Sequence, residues 1–446
     1  MTRRLPLHIL SPALLLVALT GLLALSGCSR EEAPEAEVSE TDVTTTQPEE
    51  SAPVAGDAGE DAGKSLAQKH LLVDTHIDVP YRLHEGWEDV SKATEDGDFD
   101  YPRAVAGGLN VLFMSIYIPA EVDEAGKAKA FAEGLIDTVE GVASDNPDKF
   151  GLATCTRDVW ALKSAGKIAM AMGMENGGPI EGKLENLAEF AKRGIRYITL
   201  AHSKSNHISD SSYDENKQWG GLSDFGKTLV PEMNKQGVMV DVSHISDDAF
   251  WQVLDLTKVP VIASHSSLRY FTPGFERNMS DEMVTALGDN GGVVQINFGS
   301  GFLTKAARDY SSAAQEAVKA FQADEHVAAD DSSLESFMAQ YKADHPYPFA
   351  TVDDVLDHID RAVALAGIDH VGIGSDYDGV GETLPIGLED VSAYPNLVDG
   401  LLDRGYGEAD IAKILGGNLM RVWSAVEDYA TNAGNPARCS QPAPEG

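Results

Sequence analysis

The sequence predicts an α/β fold, a (β/α)8 TIM-type barrel with an insertion after strand seven. Eight short apolar runs alternate with longer amphipathic segments between residues 67 and 430, as parallel strands and their connecting helices do. Several amphipathic segments follow a good helix N-cap residue, among them Ser223 and Ser246. Metal-binding side chains collect at the ends of the apolar runs, where a barrel places its active site. An open, doubly wound sheet is the alternative.

The apolar runs are the candidate strands, and they span residues 70–78, 110–118, 167–175, 195–202, 238–242, 259–264, 292–298 and 370–376. The candidate helices between them span residues 128–143, 184–193, 223–235, 246–256, 280–289 and 352–366. Thr351 precedes the last of these helices, and Asp354 stands three residues further on, which is the spacing of a capping box. A C-terminal helix over residues 408–429 is expected to close the barrel.

Residues 299–349 interrupt the alternation and contain helical patterns over residues 306–321 and 334–341. Because this segment follows strand seven, we expect it to lie over the mouth of the barrel. A lid, a wall of the substrate site and a subunit contact in a homodimer are all compatible with that position.

The first 28 residues have the pattern of an export signal. Arg3 and Arg4 precede an apolar stretch that ends in Leu25-Ser26-Gly27-Cys28. That ending resembles a bacterial lipobox, which implies cleavage before Cys28 and lipidation of its thiol. The sequence therefore predicts an exported protein, lipid-anchored in the bacterial cell envelope at the outer membrane or the periplasmic face. An ordinary cleaved signal peptide and an uncleaved anchor helix are the alternatives.

Residues 29–66 are predicted to be a disordered acidic tether, and residues 431–446 a flexible tail. The tether carries eleven acidic residues against Arg30 and Lys64, and it has too few large apolar side chains to offset its chain entropy. The barrel domain, residues 67–430, is acidic as well, in a chain of net charge −37. Nucleic acid is excluded as a partner, because phosphate binding needs a basic face.

Two cysteines, Cys155 and Cys439, remain once Cys28 is lipidated. An exported protein can form disulfides, but sequence alone does not say whether these two lie within bonding distance. The absence of a CxxC pair argues against a thiolate metal site.

Metal-capable side chains end six of the eight predicted strands, and they are His76 and Asp78, Glu175, His202, His244, His265, and Asp376 with Asp378. A histidine at one strand end is usually a hydrogen-bonded structural residue, but structural needs rarely produce six such ends. Imidazole and carboxylate ligands suit Zn²⁺ or a similar divalent ion. A single glutamate among them can bridge two metals, because its carboxylate offsets their mutual repulsion.

The motifs at these positions resemble the membrane (renal-type) dipeptidase family, metallopeptidases of the amidohydrolase superfamily. The resemblance covers residues 68–428, and its motifs are Asp74-Thr75-His76-Ile77-Asp78, Gly173-Met174-Glu175-Asn176-Gly177, Leu200-Ala201-His202-Ser203, Asp241-Val242-Ser243-His244, Ser264-His265-Ser266-Ser267, Arg277-Asn278 and Gly374-Ser375-Asp376-Tyr377-Asp378-Gly379. It implies a zinc-dependent dipeptidase that hydrolyses the peptide bond of dipeptides through a metal-bridging hydroxide.

The resemblance also implies a role for each residue at the site. It implies two Zn²⁺ ions per subunit, the first bound by His76 and Asp78. The second would be bound by His244 and His265, with Glu175 bridging the two.

Of the remaining residues, Asp376 would move the proton, with Asp378 as a weaker candidate for that role. His202 would stabilise the oxyanion or hold the scissile carbonyl. Arg277 would bind the substrate's C-terminal carboxylate, although Arg269 lies in the same loop.

Two other functions compete with this interpretation. Another amidohydrolase could act on N-acyl amino acids or lactams from the same scaffold. The His-x-Asp pair and Glu175 stand where many amidohydrolases have His-x-His and a carboxylated lysine, which disfavours it. A non-enzymatic binding lipoprotein is disfavoured because all five ligands and the candidate base are present.

Overall fold

The computed structural model describes residues 62–325 and 332–440. Its nine strands form one parallel sheet, and they are β1 Leu72–Ile77, β2 Leu109–Tyr117, β3 Phe150–Leu152, β4 Ile168–Glu175, β5 Ile195–Thr199, β6 Met239–Asp241, β7 Ile262–Ala263, β8 Val293–Ile296 and β9 Val371–Ile373. Eight of them follow one another in the order β1-β2-β4-β5-β6-β7-β8-β9. The predicted α/β barrel is confirmed in its class.

Helices connect the strands along the chain. The α-helices are α1 Ala62–Lys69, α2 Val79–Glu85, α3 Tyr101–Gly107, α4 Ala120–Glu124, α5 Ala128–Asp145, α6 Thr156–Ser164, α7 Leu184–Arg193, α8 Asp224–Gln236, α9 Asp247–Leu256, α10 Asp281–Asp289, α11 Ser300–Leu303, α12 Lys305–Glu325, α13 Ser332–Asp344, α14 Val352–Ala366, α15 Tyr394–Asp403, α16 Glu408–Ala412 and α17 Asn418–Asn432. Short 3-10 turns lie at Gly178–Ile180, Ile368–His370 and Val391–Ala393, and a π-helical turn, Lys413–Gly417, joins α16 to α17.

The sheet curves until its first and last strands nearly meet. The N–H of Asp78 donates to the carbonyl of Tyr377 at 2.9 Å, and the N–H of Asp376 donates to the carbonyl of His76 at 3.0 Å. These contacts join the end of β1 to the segment after β9, which excludes the open-sheet alternative. They also bring the first and last metal-capable strand ends together.

Strand β3 was not predicted, because its three residues are shorter than the runs that periodicity can detect. It pairs with the first half of β4, from Ile168 to Met170, while β5 pairs with the second half, from Met172 to Glu175. The extra strand therefore lies at the end of β4 remote from Glu175 and leaves the barrel order unchanged.

Capping residues set the helix starts as the sequence predicts. The Ser223 and Ser246 side chains accept hydrogen bonds from the third residue of α8 and α9, respectively. Thr351 and Asp354 form the predicted capping box at the start of α14. Each cap satisfies backbone N–H groups that the helix leaves unpaired, so the strand-to-helix turns are fixed locally.

Aromatic rings fill the barrel interior below the site. Trp423 of α17 lies 5.3 Å from Phe113, which stacks at 5.5 Å on Tyr197, which in turn lies 6.4 Å from His76. Gly173 leaves room for this column, because a Cβ there would lie 1.9 Å from the Tyr197 ring. The C-terminal helix thus closes the end of the barrel opposite the metal-capable side chains.

Four α-helices, α11 to α14, lie between β8 and β9 in chain order, and the first three of them fall within residues 299–349. Residues 299–349 therefore contain helices where helical patterns were predicted, and the segment's standing as an insertion stays a prediction.

His358 of α14 connects the start of the segment to the barrel. Its Nε2 donates to the carbonyl of Leu303, and its Nδ1 accepts from the N–H of Leu268, both at 3.0 Å.

The two ends of the predicted domain differ in detail from the structure. α1 begins at Ala62, inside the predicted tether, because the N–H of Gly63 donates to Asp399 Oδ1 at 2.7 Å. α17 runs to Asn432, so the first two residues of the predicted tail are helical.

A disulfide also fixes the C-terminal end of the domain. Cys439 forms a disulfide with Cys155, which joins the tail to the start of α6. Residues 1–61, with Cys28 and most of the tether, lie outside the described residues. Within the described ranges, no helix is long and apolar enough to cross a membrane.

Candidate metal centre

Glu175 lies at the centre of the site, at the end of β4. Its Oε2 lies 3.4 Å from His76 Nε2, whereas its Oε1 lies 3.0 Å from His244 Nε2 and 3.2 Å from His265 Nε2. His202 Nε2 lies 3.5 Å from the same Oε1. The two oxygens of one carboxylate thus face two different sets of imidazole nitrogens, which is the position of a bridging ligand.

His76 has its proton fixed on the nitrogen remote from the site. The Tyr197 hydroxyl donates to the carbonyl of Thr75 at 3.0 Å, so its oxygen is left to accept from His76 Nδ1 at 2.8 Å. This leaves Nε2 without a proton in the neutral ring, and that atom has no hydrogen-bond partner among the described residues although it is buried. A bare, buried imidazole nitrogen oriented by its other nitrogen is the usual state of a metal-binding histidine.

His265 is oriented in the same way through a serine. Ser264 Oγ donates to Asp241 Oδ2 at 2.7 Å, so it accepts from His265 Nδ1 at 2.7 Å. Thr199 also donates to that carboxylate oxygen, which keeps Asp241 in place. The Nε2 of His265 therefore faces Glu175 without a proton. His244 Nε2 lies only 2.7 Å from His265 Nε2, so the two nitrogens converge on one point.

Burial sets the charge state of these groups. It lowers the pKa of His244 and of His265 well below the ordinary value, so both rings are neutral, the form that binds metal. Although burial alone would raise it, neighbouring histidines hold the pKa of Glu175 well below its ordinary value. Burial opposes a charge on His76, but Tyr197 and the nearby carboxylates raise the pKa of His76. The carboxylates therefore favour a positive charge at His76 Nε2, which a metal ion supplies.

The donor atoms fall into three overlapping groups, each with its atoms within 4.8 Å of one another. The groups are His76 with Glu175 and His265, Glu175 with His202 and His244, and His76 with Asp78 and Asp376. All five predicted ligands are brought together, and the buried Oδ1 of Asp78 has no partner among the described residues. These observations fit a metal centre with nitrogen and oxygen ligands, for which Zn²⁺ is suited. His265 groups with His76, so the division of ligands between two ions stays a prediction.

Asp376 lies at the edge of this cluster, in a left-handed backbone conformation with φ of 65°. Its Oδ1 lies 3.9 Å from His76 Nε2, and its Oδ2 accepts from Asn297 Nδ2 at 2.7 Å. Burial raises the pKa of Asp376 to about 7 against the opposing effect of His76, and Asp78 and Glu175 add to the rise. A carboxyl group with such a pKa can both accept and release a proton near neutral pH.

Asp378, the weaker candidate for the same role, is engaged elsewhere. Its side chain accepts from Arg82 Nε at 3.0 Å and from the N–H of Asp98 at 2.5 Å. The alternating pattern of a strand does not persist here, because Asp376 and Asp378 both have positive φ. Asp376 is therefore the carboxylate that faces the cluster.

The structure also separates the two arginines of the loop after β7. Arg269 forms a bidentate pair with Asp247, at 2.7 and 2.6 Å, so its charge is already matched. Arg277 has no carboxylate partner among the described residues, and it donates to Ser266 Oγ, His244 Nε2 and the carbonyl of His265. Arg277 is thus the arginine whose charge is available beside the cluster.

His202 lies on the open side of the cluster, with 18% of its side chain exposed. Its ring lies 4.2 Å from that of His244 and meets Tyr117 edge-on at 4.8 Å. Burial lowers the pKa of His202, so its ring is neutral. A neutral imidazole in this place can donate one hydrogen bond to a bound molecule.

Sequence reasoning did not find the residues that orient the ligands, which include Tyr197, Ser264 and Asn297. A tyrosine in the middle of a short buried strand, opposite Gly173, is a signal, because only a partner within the barrel would satisfy its hydroxyl. The Asn297 position had no comparable signal.

Comparisons with known proteins agree with this geometry. Residues 60–437 match the protein family described as membrane dipeptidase, peptidase family M19. An uncharacterized dipeptidase of Schizosaccharomyces pombe is 31% identical over 386 residues, which are 82% of this chain and 82% of that protein. The dipeptidase tcpJ of Claviceps purpurea is 32% identical over 356 residues, 77% of this chain and 73% of that protein.

Solved structures have the same fold. The probable dipeptidase PvdM of Pseudomonas aeruginosa superposes with a TM-score of 0.71 at 29% identity, over 82% of this chain and 98% of that one. A metallopeptidase of Rhodobacter sphaeroides, bound to a phosphinate mimic of the dipeptide L-Ala-D-Ala, superposes with a TM-score of 0.66 at 23% identity. The second similarity covers 80% of this chain and 99% of that one.

Proposed function

The chain belongs to the membrane dipeptidase family M19 and is a metallo-dipeptidase, a hydrolase of peptide bonds, and from this premise we propose that it cleaves dipeptides at the cluster around Glu175 with two Zn²⁺ ions. The observation that carries the proposal is the position of Glu175, whose two oxygens face separate sets of imidazole nitrogens. One carboxylate between two ions offsets their repulsion, and no neutral side chain could do so.

The chain's own residues would hold the ions. His76 and Asp78 would hold one ion, His244 and His265 would hold the other, and Glu175 would serve both. The bound pair would supply a nucleophilic water at neutral pH and positive charge opposite the developing oxyanion. Tyr197 and Ser264 keep the ligand nitrogens unprotonated, which spares the site a tautomer change when metal binds.

Asp376 moves the proton in this proposal. It accepts the proton of the attacking water and passes it to the nitrogen of the leaving amine. Two features support the role: the pKa of Asp376, raised by burial to about 7, and Asn297, which orients one carboxylate oxygen and leaves the other facing the cluster.

His202 and Arg277 bind the substrate. His202 donates to the scissile carbonyl oxygen from the open side of the site, and this bond strengthens as the oxygen becomes negative. Arg277 binds the C-terminal carboxylate through its guanidinium, whose buried Nε has no hydrogen-bond partner among the described residues. A longer peptide would place its carboxylate away from Arg277, which explains selection for dipeptides.

The metal requirement is tested with L-Ala-D-Ala, the dipeptide whose mimic the Rhodobacter protein binds. Chelator-treated protein is expected to lose hydrolysis and to recover it with Zn²⁺, whereas activity that survives complete metal removal would refute the mechanism. Glu175→Gln is expected to lower kcat/KM at least 100-fold, more than the ~10- to 100-fold loss typical of outer-shell changes. Glu189→Gln is the matched control, because Glu189 lies on the surface and pairs with Lys129.

The carboxylate role of Arg277 has its own test. Arg277→Ala is expected mainly to raise KM for dipeptides, because the lost contact is made in both the bound substrate and the transition state. L-Ala-D-Ala amide, which has no terminal carboxylate, should be affected little by the same substitution. Unchanged KM and kcat for the free acid would assign the carboxylate to another residue.

We also propose that the protein is exported and anchored by lipid on Cys28, as the first 28 residues predict. Cys28→Ser is expected to abolish the incorporation of labelled palmitate into the protein in cells. Unchanged incorporation into the Cys28→Ser protein would contradict the lipid anchor. A homodimer is the remaining expectation, and light scattering of the purified protein measures it directly.

A further inference from the structure

Two arginines without a carboxylate partner lie on the same side of the site. Among the described residues, Arg277 donates hydrogen bonds to Ser266, His244 and a backbone carbonyl and has no carboxylate partner. Arg308 forms no ion pair or side-chain hydrogen bond with the described residues, and its guanidinium packs on an aromatic ring. The chain has 71 acidic residues against 34 lysines and arginines, so carboxylates are in excess over the cations that could pair with them. Arg269, Arg361 and Arg404, for example, are each paired with aspartates. Arg277 and Arg308, by contrast, have no such partner among the described residues.

Arg308 packs against aromatic rings that lie next to the site. Its guanidinium carbon lies 3.9 Å from the centre of the Phe275 ring, and Phe275 lies 5.9 Å from Phe302. The guanidinium carbon of Arg277 lies 5.3 Å from the Phe302 ring on the other side. The two guanidinium groups therefore share one aromatic surface, which holds them without neutralising them.

Tyr213 connects this surface to the candidate ligands. Its ring lies 5.9 Å from Phe275 and 5.8 Å from His244. Burial raises the pKa of Tyr213, while the charges of Arg277 and Arg308 both act to lower it. Both guanidinium groups thus lie close enough to act on one hydroxyl beside the site.

From this juxtaposition we infer that Arg308 binds a second carboxylate of the substrate, so that the enzyme prefers dipeptides whose C-terminal residue is aspartate or glutamate. The inference rests on the proposed function, in which Arg277 takes the C-terminal carboxylate. The C-terminal carboxylate of the dipeptide occupies Arg277. An acidic side chain on the same C-terminal residue provides a second carboxylate, which can bind Arg308.

The charge of the whole protein strengthens this reasoning. A net charge of −37 repels acidic substrates, so an enzyme that accepts them needs local positive charge at the entrance. Arg308 supplies it from α12, within the segment between β8 and β9. Arg308 is half-buried, and the planar donors of its guanidinium match a carboxylate in two-point contact.

The test compares acidic dipeptides with their neutral isosteres, Ala-Glu with Ala-Gln and Ala-Asp with Ala-Asn, in both configurations of the second residue. Wild-type enzyme is expected to favour each acid over its amide at least about tenfold in kcat/KM, the effect of one charge-assisted contact. Arg308→Gln should bring this ratio close to one, mainly through KM, and Arg308→Lys should retain part of it. Lys305→Gln is the matched control, because it removes a positive charge from the same helix and should leave the ratio unchanged.

Each outcome decides between the inference and the function it rests on. If acids and amides are hydrolysed equally well, or if the ratio survives in Arg308→Gln, the inference is overturned while dipeptidase activity stands. If no dipeptide is hydrolysed by metal-loaded wild-type enzyme, the proposed function fails and the inference with it. If Arg308→Gln does not fold, the wild-type ratio and Arg308→Lys decide, since equal rates on acid and amide refute the inference.

Discussion

Tyr197→Phe tests whether the hydroxyl beneath the site prepares His76 for metal. The substitution keeps the ring between Phe113 and His76 and removes only the oxygen that accepts from His76 Nδ1 at 2.8 Å. The His76 side chain is fully buried, so its N–H would have no alternative partner in water. The proton could then move to Nε2, where it competes with the metal.

The expected loss of zinc affinity follows from the cost of leaving the buried Nδ1–H of His76 without an acceptor. That cost is about 1–3 kcal/mol, and it arises only when metal is bound, because Nε2 must then be free of its proton. Zinc affinity is therefore expected to fall by about 5-fold to 150-fold, which overlaps the range known for outer-shell partners of metal ligands. The assay is zinc competition with a chelator of known affinity, together with thermal unfolding of the metal-free and zinc-loaded proteins.

Tyr377→Phe is the control for this experiment. Tyr377 is also fully buried, and its hydroxyl donates to the carbonyl of Leu388 at 3.1 Å, much as the Tyr197 hydroxyl donates to that of Thr75. The control thus removes the same kind of tyrosine-to-carbonyl bond without touching His76. Equal zinc affinities in Tyr197→Phe and Tyr377→Phe would refute the idea that Tyr197 fixes the tautomer.

Three further predictions concern other parts of the molecule. Gly379→Ala would place a Cβ 2.3 Å from Asp78 Oδ2 and 2.4 Å from Asp376 Oδ1. We therefore expect kcat to fall about 100-fold while circular dichroism stays unchanged, and a near-normal kcat would show that these oxygens can shift freely. Burial lowers the pKa of His358 to about 4 from 6.5, so below pH 6.5 the unfolded chain takes up a proton that the folded chain does not. The free energy of unfolding, measured in denaturant, should therefore fall by about 3 kcal/mol between pH 6.5 and pH 4 in the wild-type protein and not in His358→Gln. Identical pH profiles of unfolding free energy in the two proteins would contradict this prediction. Replacing Cys155 and Cys439 by serine removes a disulfide that spans 284 residues. Because the unfolded chain then gains conformational entropy, the free energy of unfolding should fall by up to about 5 kcal/mol. An unchanged melting temperature would disprove this prediction.

The strand ends that carry chemistry could be predicted from local pattern. β4 was expected over residues 167–175 and spans Ile168–Glu175, because an apolar run that stops at a charged residue and a glycine turn marks its own boundary. β7 was expected over six residues and has two, Ile262–Ala263. The N–H of Ser264 donates to the Asp241 side chain at 2.8 Å instead of to a neighbouring strand, and no local pattern reveals such a bond.

The choice between similar residues needed tertiary contacts. Asp376 and Asp378 are equivalent in sequence, and only the pairing of Asp378 with Arg82 separates them. Arg269 and Arg277 are likewise equivalent until Asp247 is seen to neutralise the first. In each case the decision depends on a partner remote in sequence, which hydrophobic periodicity does not encode.

The barrel class, the family and the set of metal-capable strand ends are encoded locally, because alternation, capping and strand-terminal side chains are properties of neighbouring residues. The folded chain alone shows which nitrogen of His76 carries no proton, that Cys155 bonds Cys439, and that Arg277 and Arg308 both lack a carboxylate among the described residues. These facts depend on the distance and orientation of groups brought together by closure of the barrel. Short-range patterns place a side chain at the end of its strand, and long-range packing sets its proton, its charge and its partner.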